Sequence, residues 1–295
     1  MRGVARKDQR HLEGAPGDWF IDTRCIGCGA SAAIAPDLIV LDRAGRRFVF
    51  DHQPGDAEEV RLAQLAAEVC PTLSIGTESG LRWTPHHPLE VAEGVWRCGS
   101  NSPDAIGANS YLVERAAGNL LVDAPRFSPR LVRWMVSLGG VDQVLLTHAD
   151  DVGEAERYVA ELDATAVVHE ADSYAAPFAT RVLTGTEPQA MAPGVLAIPT
   201  PGHTAGHVMY LVDDGTLFTG DSLDWDTDLD DLWAEEAVCW YSWPEQLASL
   251  ERLADHDFVR VVPGHGTLSP TLPAAEMHTR LLALVARLRD AAADA

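Results

Sequence analysis

The sequence predicts an α/β domain with a smaller α+β domain ahead of it, and three observations carry that prediction. The first is a repeated grammar. VLLTH (144–148), LAIPTPGH (196–203), LFTGD (217–221) and VRVVPGH (259–265) are each a short apolar run ending in His or Asp. Runs of that length mark buried strands, and in the last three a glycine (Gly202, Gly220, Gly264) precedes the polar end, where it permits a sharp turn. The second is a set of helical segments between such runs, among them SPRLVRWMVSLGG and GEAERYVAELDA. The third is a cysteine-bearing N-terminal stretch with strand-like and helical runs of its own.

Strands that deliver imidazole and carboxylate to their carboxyl ends would gather those groups on one rim, where they can share a metal. A lone histidine is more often structural or solvated than a ligand. Four such endings in one chain reverse that expectation.

The order TH…PGHTAGH…FTGD…PGHG resembles the metallo-β-lactamase-fold hydrolases, over residues 94–268. The resemblance implies an αββα four-layer sandwich with one or two metal ions, usually zinc, where its two sheets meet. It also implies chemistry drawn from thioester, lactone, β-lactam and nucleic-acid hydrolysis or iron-dependent redox reactions. Carried over by motif, it makes His203, Asp221 and His265 metal ligands and His148 the leading histidine of the first segment.

That first segment departs from the family pattern T-H-x-H-x-D-H-x-G. Here it reads Thr147-His148-Ala149-Asp150-Asp151-Val152-Gly153. Without a gap, Asp150 replaces the second histidine. Anchored on the Val-Gly pair instead, Asp150-Asp151 stands in for Asp-His and two residues are missing. Either register exchanges imidazole for carboxylate, which suits harder ions such as iron or manganese. In an extended segment alternate residues share a side. Asp150 is therefore expected to join His148 as a ligand, and Asp151 to orient the nucleophile or handle its proton; if the chain instead turns into the next helix after Ala149, Asp151 swings toward the site, and both are candidate catalytic carboxylates. The HxDDV pattern also resembles a branch of the superfamily that carries a ferredoxin-like segment in front.

From the start of the chain, 295 residues allow one large domain and a small appendage, and 46% hydrophobic residues suffice for a real core. A net charge of −22 repels nucleic acid and anionic membranes, so a small-molecule substrate is expected. No stretch approaches the roughly 20 apolar residues of a membrane span. The basic start MRGVARKDQRHLEG lacks an apolar region, so a cytoplasmic location is expected, with residues 1–16 flexible. Five cysteines, an odd count, argue against a disulfide framework.

Cys25-Ile-Gly-Cys28-Gly-Ala-Ser31 and the distant Cys70-Pro71 follow the C-x2-C-x2-C…C-P order of a one-cluster ferredoxin, with Ser31 at the third position. The strand-like APDLIVLD and RRFVF and the helical AEEVRLAQLAAEV complete the resemblance across residues 17–78. It implies an iron–sulfur cluster held by Cys25, Cys28, Cys70 and the Ser31 alkoxide, or a three-iron form. The competing reading is a relic that has lost its cluster. Cys98 and Cys239 lie outside the pattern and are expected to be buried free thiols.

Residues 79–93 read as a proline-punctuated linker with His86 and His87 exposed, and residues 94–295 as the hydrolase-like domain. VAEGVWRC and ANSYLVERAAGNLLVDAP give three strands and a Gly-Asn turn, with Asn109-Ser110-Tyr111 structural. Ser128 and Pro129 open a helix that ends at Gly139. TAVVHEAD is a strand-to-helix step whose His169 is a loop residue, and His207 is expected to shape the site. Asp224, Asp226, Asp228 and Glu235 fit positions of a calcium loop, but Leu229 stands where such a loop needs glycine, so a solvated lid is expected at 224–236. Trp225, Trp233, Trp240, Tyr241 and Trp243 crowd this region, most of them packed and one or two lining a pocket.

These features point to a metal-dependent hydrolase of a small ester, thioester or lactone that uses a metal-activated water, the substrate class resting on the resemblance. Two readings stay open beside it. One is an iron-dependent oxidoreductase fed by the ferredoxin-like segment through an electron-transfer partner. The other is a scaffold with a degraded metal site.

Overall fold

The computed structural model describes residues 5–212 and 214–293. The N-terminal part contains β1 (Trp19–Ile21), α1 (Ala30–Ile34), β2 (Ile39–Leu41), β3 (Phe48–Phe50), α2 (Ala57–Val69) and β4 (Ile75–Thr77). Antiparallel β1–β4 and β2–β3 pairs enclose a core of Trp19, Leu38, Ile39, Phe50, Ala66 and Ile75. Helix α2 starts where the Asp56 side chain accepts the backbone N–H groups of Glu58 and Glu59, an N-cap that satisfies two otherwise orphaned donors.

Within the segment expected to be flexible, residues 6–15 make contacts with the fold. Arg6 donates its backbone N–H to Asp22, Arg10 bridges to Asp22, and Ala15 N–H donates to the Phe50 carbonyl. Residues 1–4 lie outside the described residues.

The rest of the chain builds two sheets. β5 (Leu89–Ala92), β6 (Val95–Arg97), β7 (Tyr111–Val113), β8 (Leu120–Val122), α3 (Pro129–Ser137), β9 (Gln143–Leu145), α4 (Ala155–Leu162), β10 (Thr165–His169) and β11 (Arg181–Leu183) come first. Their strands form a seven-stranded sheet in the order β11-β10-β9-β8-β7-β6-β5. β12 (Gln189–Ala192), β13 (Val195–Pro199), β14 (Val208–Val212), β15 (Thr216–Gly220), the hairpin β16 (Asp224–Asp226) and β17 (Asp231–Trp233), α5 (Trp243–Leu253), β18 (Arg260–Pro263) and α6 (Ala274–Ala293) follow. The second sheet has five strands, in the order β12-β13-β14-β15-β18.

Period-two alternation sorts the side chains into layers. Along β14, Val208, Tyr210 and Val212 face the other sheet, where Tyr111, Val122 and Leu145 meet them, while Met209 and Leu211 face α5 and α6. Along β8, Leu120 and Val122 point into the space between the sheets and Leu121 toward α3 and α4. The result is a helix–sheet–sheet–helix sandwich, the four layers expected from the sequence. Removing a ring as buried as Tyr210 would cost about 3–5 kcal/mol.

Three local expectations change. The seven-stranded sheet begins inside the expected linker, because β5 pairs with β6. His87 is buried rather than exposed, its Nδ1 2.8 Å from the Glu68 carboxylate. Residues 224–236 hold a hairpin, anchored by buried Trp225 and Leu232, instead of an open lid. No helix among the described residues is long and apolar enough to cross a membrane.

Candidate metal centre

The rim where the two sheets meet collects the ends of β9, β13, β15 and β18. The loop after β9 brings His148, fully buried. Asp123, just past β8, accepts both the backbone N–H (2.8 Å) and the hydroxyl (2.9 Å) of Thr147. The Thr147 hydroxyl proton is thereby committed, so His148 Nδ1–H donates to Thr147 Oγ1 (2.9 Å) and Nε2 faces the rim.

Two triads of ligand atoms form there, His148–His203–Asp221 and Asp151–Asp221–His265, each with its atoms within 4.8 Å of one another. Asp221 belongs to both. Its Oδ2 lies 3.6 Å from His148 Nε2, 3.9 Å from His203 Nε2 and 3.8 Å from His265 Nε2. His148 Nε2, both ring nitrogens of His203, Asp151 Oδ2 and Asp221 Oδ1 are buried without any hydrogen-bond partner. Buried polar atoms are nearly always satisfied. Orphans of both donor types converging on one rim fit divalent cations.

The electrostatics agree. Burial pushes His148 down, but the carboxylates of Asp151 and Asp221 more than reverse this, to about 10. Burial, followed by the neighbouring Asp221, drives Asp151 well above the ordinary carboxylate range. These are marks of a cluster with surplus negative charge.

The premise that put Asp150 beside His148 fails locally. Residues 149–151 form a turn of 3-10 helix, in which positions three apart share a face. Asp151 therefore returns to the His148 side, its Oδ1 3.9 Å from Nε2, and is buried. Asp150 sits further out, its side chain 37% exposed and its Oδ2 3.5 Å from His203 Nε2.

Glycine serves close approach as much as turning. A Cβ on Gly264 would meet Asp151 Oδ2 and Asp221 Oδ1, each at 2.7 Å. Gly220, at φ +50°, leaves room for His207 and Thr147. His207 is no part of either triad. Its Nε2 faces the Asp221 backbone N–H at 3.5 Å and its Nδ1 bonds Thr200 Oγ1 at 2.9 Å, so it braces the aspartate from behind. Burial, then the neighbouring His148 and His203, holds His207 well below its ordinary value. Asn109 donates its backbone N–H and Nδ2–H to the Gly264 carbonyl, and the Tyr111 hydroxyl donates to Pro263, which fixes the loop bearing His265.

Asp172 was not anticipated. It is buried, and its carboxylate accepts the Ala149 N–H (2.9 Å), the Thr204 hydroxyl (2.6 Å) and the Gly206 N–H (3.0 Å). The only sequence signal was its place after the β10 run, on the same rim as the other strand ends.

A cleft of about 320 Å³ opens over the triads. Its walls include Trp233, Trp240 and the β16 residue Asp224, whose carboxyl is pushed up to about 7 by burial and then by Asp226, Asp221 and Glu235. Trp225 and Trp243 are packed in the core instead. Tyr241 is exposed, and Cys239 is only half-buried, its thiol donating to the Gly202 carbonyl.

Gly27 and Cys28 of the N-terminal part also line this cleft. Cys25, Cys28, Ser31 and Cys70 share a second, smaller cavity. Backbone N–H groups of Phe48 and Ser74 point at the sulfurs of Cys25 (3.5 Å) and Cys70 (3.3 Å), as they do around iron–sulfur centres. Burial pushes the Cys28 thiol up to about 11. Ser31 Oγ is occupied, donating to the Ala66 carbonyl at 3.0 Å. Cys25, Cys28 and Cys70 thus fit three thiolate corners of a cluster, while Ser31 is engaged with the backbone.

Comparison with known proteins divides the chain in the same way. Residues 21–77 match the family model described as the 4Fe-4S single cluster domain of Ferredoxin I. A β-lactamase-like protein 2 homolog of Drosophila melanogaster is 27% identical over 197 residues, 58% of this chain and 62% of that protein. The chain therefore matches less than two thirds of that relative's length. The structure is similar to the DIM-1 metallo-β-lactamase exposed to ceftazidime (TM-score 0.51, 18% identity, 68% of this chain and 96% of that one). It is also similar to a metallo-β-lactamase from Hirschia baltica (TM-score 0.50, 17% identity, 67% and 96%).

Proposed function

We propose that this chain, a metallo-β-lactamase-fold protein with a single-cluster ferredoxin-like segment in front, is a metal-dependent hydrolase of a small ester, thioester or lactone. One observation carries the reading: two triads share Asp221 at the floor of a cleft, with unpartnered imidazole and carboxylate atoms aimed at one another.

His148, His203 and Asp221 would hold one divalent ion, and Asp151, Asp221 and His265 a second. An ion bound there supplies Lewis acidity and brings the pKa of a coordinated water from 15.7 toward about 7. The chain's own part is positioning and proton handling. Asp123 and Thr147 keep His148 in the tautomer that presents Nε2. Asp150, partly exposed and facing the cleft, is placed to take the proton of the incoming water and return it to the leaving group. The roles expected for the two aspartates are thereby exchanged. Trp233 and Trp240 exclude water from the substrate's apolar part.

The test is ester and thioester turnover by protein stripped of metal and reloaded with zinc or manganese. Reloading restores activity in the native chain and fails to do so in His203→Ala. Equal turnover by stripped and loaded protein would sink the proposal.

A second reading, an iron-dependent oxidoreductase, draws on Cys28, which borders both the thiol cavity and the metal cleft. Iron with acid-labile sulfide, together with reduction of the rim metal by way of the cluster, would favour it over hydrolysis.

A further inference from the structure

The wall of the cleft has a chemistry of its own, separate from the metal-holding floor. Ile106, Leu223, Trp233, Val238 and Trp240 make it apolar. Asp224 and Glu235 make it acidic, and no Lys or Arg lines it among the described residues. Sites that bind carboxylate or phosphate use Arg, Lys or a helix N-terminus, because burying an anion without a donor is costly. None of those basic side chains is present here.

Asp224 is built into place. Its Oδ1 is buried without a hydrogen-bond partner, and Gly266 at φ +91° lets it in, since a Cβ there would meet Asp224 Oδ2 at 2.2 Å. Trp240 stands beside His203, ring centroids 6.2 Å apart, on the same side as the floor. Aromatic faces and carboxylates lining one cleft are the recognition chemistry of ammonium and guanidinium groups. The floor's carboxylates, Asp150, Asp151 and Asp221, supply three of the four negative charges that two divalent ions would need, and Asp224 and Glu235 belong to neither triad, so the acidic wall is left to act on the substrate.

We infer that the cleft takes substrates whose non-reacting end is apolar and carries a positive charge, and that it rejects anionic ones. The inference rests on the hydrolase reading only in calling the ligand a substrate. With about 320 Å³ available, the group accommodated is a short chain bearing an amine or quaternary ammonium.

The test uses binding rather than turnover, so that it can fail separately from the hydrolase reading. Three anilides of one length are compared on zinc-loaded full-length protein by isothermal titration: a 4-trimethylammoniobutyranilide, the uncharged hexananilide, and a 4-sulfobutyranilide, whose sulfonate is a poor metal ligand. The cationic anilide should bind at least about tenfold more tightly than the sulfonate, with the neutral one between them. In Asp224→Asn/Glu235→Gln that ratio should fall to about threefold or less; as a ratio it is insensitive to partial loss of folded protein. Equal or tighter binding of the sulfonate, an unchanged ratio in the double variant, or no binding of any of the three at millimolar concentration would overturn the inference. Failure of the matching esters to be hydrolysed, with the binding order intact, would overturn only the hydrolase reading.

Discussion

Asp172 accepts the Thr204 hydroxyl at 2.6 Å while the same oxygen takes the Ala149 N–H at 2.9 Å, so one buried carboxylate ties the loop after His203 to the loop after His148. The two rim imidazoles are thereby held in mutual register through the residues that follow them.

Asp172→Asn should therefore loosen the centre without removing a ligand. The expected outcome is a zinc affinity weakened by about 10–100-fold, the range seen when residues supporting ligands are lost. Competition with a chromogenic chelator reads it directly. Unchanged affinity would mean that the two loops hold their places without the cross-link.

Asp221 and Asp150 should separate cleanly. Asp221→Ala removes the residue common to both triads and should leave the protein with little bound metal by elemental analysis. Asp150→Ala should keep most of its metal and lose about 10²–10⁴-fold in kcat, the usual weight of acid–base assistance. Metal lost only in Asp150→Ala would restore the ungapped assignment, in which Asp150 is the ligand.

The Glu68–His87 pair, part of neither triad, gives a pH signature of its own. Burial lowers His87 below its ordinary value of 6.5 despite the nearby carboxylate. Burial pushes Glu68 up, but hydrogen bonds from His87 and from the backbone of His86 outweigh it, and Glu68 ends below its ordinary 4.5. Both folded values lie under the unfolded ones, so the unfolded chain binds more protons and the associated stability is lost in acid. The melting temperature should fall as pH drops below about 6.5, and further below about 4.5. His87→Gln should flatten the upper part of that profile.

Ser31→Cys should raise the iron and sulfide retained after anaerobic reconstitution, because it supplies the fourth soft ligand. Losing the Ser31–Ala66 hydrogen bond should cost about 1 kcal/mol, visible in urea unfolding. Equal iron–sulfur content in both proteins would show that the thiol cavity does not hold a cluster in the manner of a ferredoxin.

The parts of this molecule that could be read from its sequence are those written in local pattern. Four apolar runs ending in His or Asp located His148, His203, Asp221 and His265, and the cysteine order located the thiol cavity, because each depends on residues close in the chain. What stayed hidden depends on geometry or on distant partners. Whether Asp150 or Asp151 faces His148 turns on one 3-10 turn, where strand and helix periodicity give opposite answers. Asp172 meets Thr204 across 32 residues, and nothing in either segment announces the other. His87 looked like a loop histidine because its partner, Glu68, lies 19 residues earlier, near the end of α2.

The contact at Gly107 changes what the N-terminal segment is. At φ +90°, a Cβ there would meet Cys28 Sγ at 2.8 Å and Pro71 Cγ at 2.9 Å, so the loop before β7 is seated directly on the thiol-bearing loops. Gly27 and Cys28 then form part of the wall over the metal centre. A boundary that is clean in sequence runs through the middle of one cavity. The two halves are consequently not interchangeable modules on a tether: cutting the chain after residue 78 would remove a face of the cleft, and grafting a different ferredoxin in front would alter which molecules fit it.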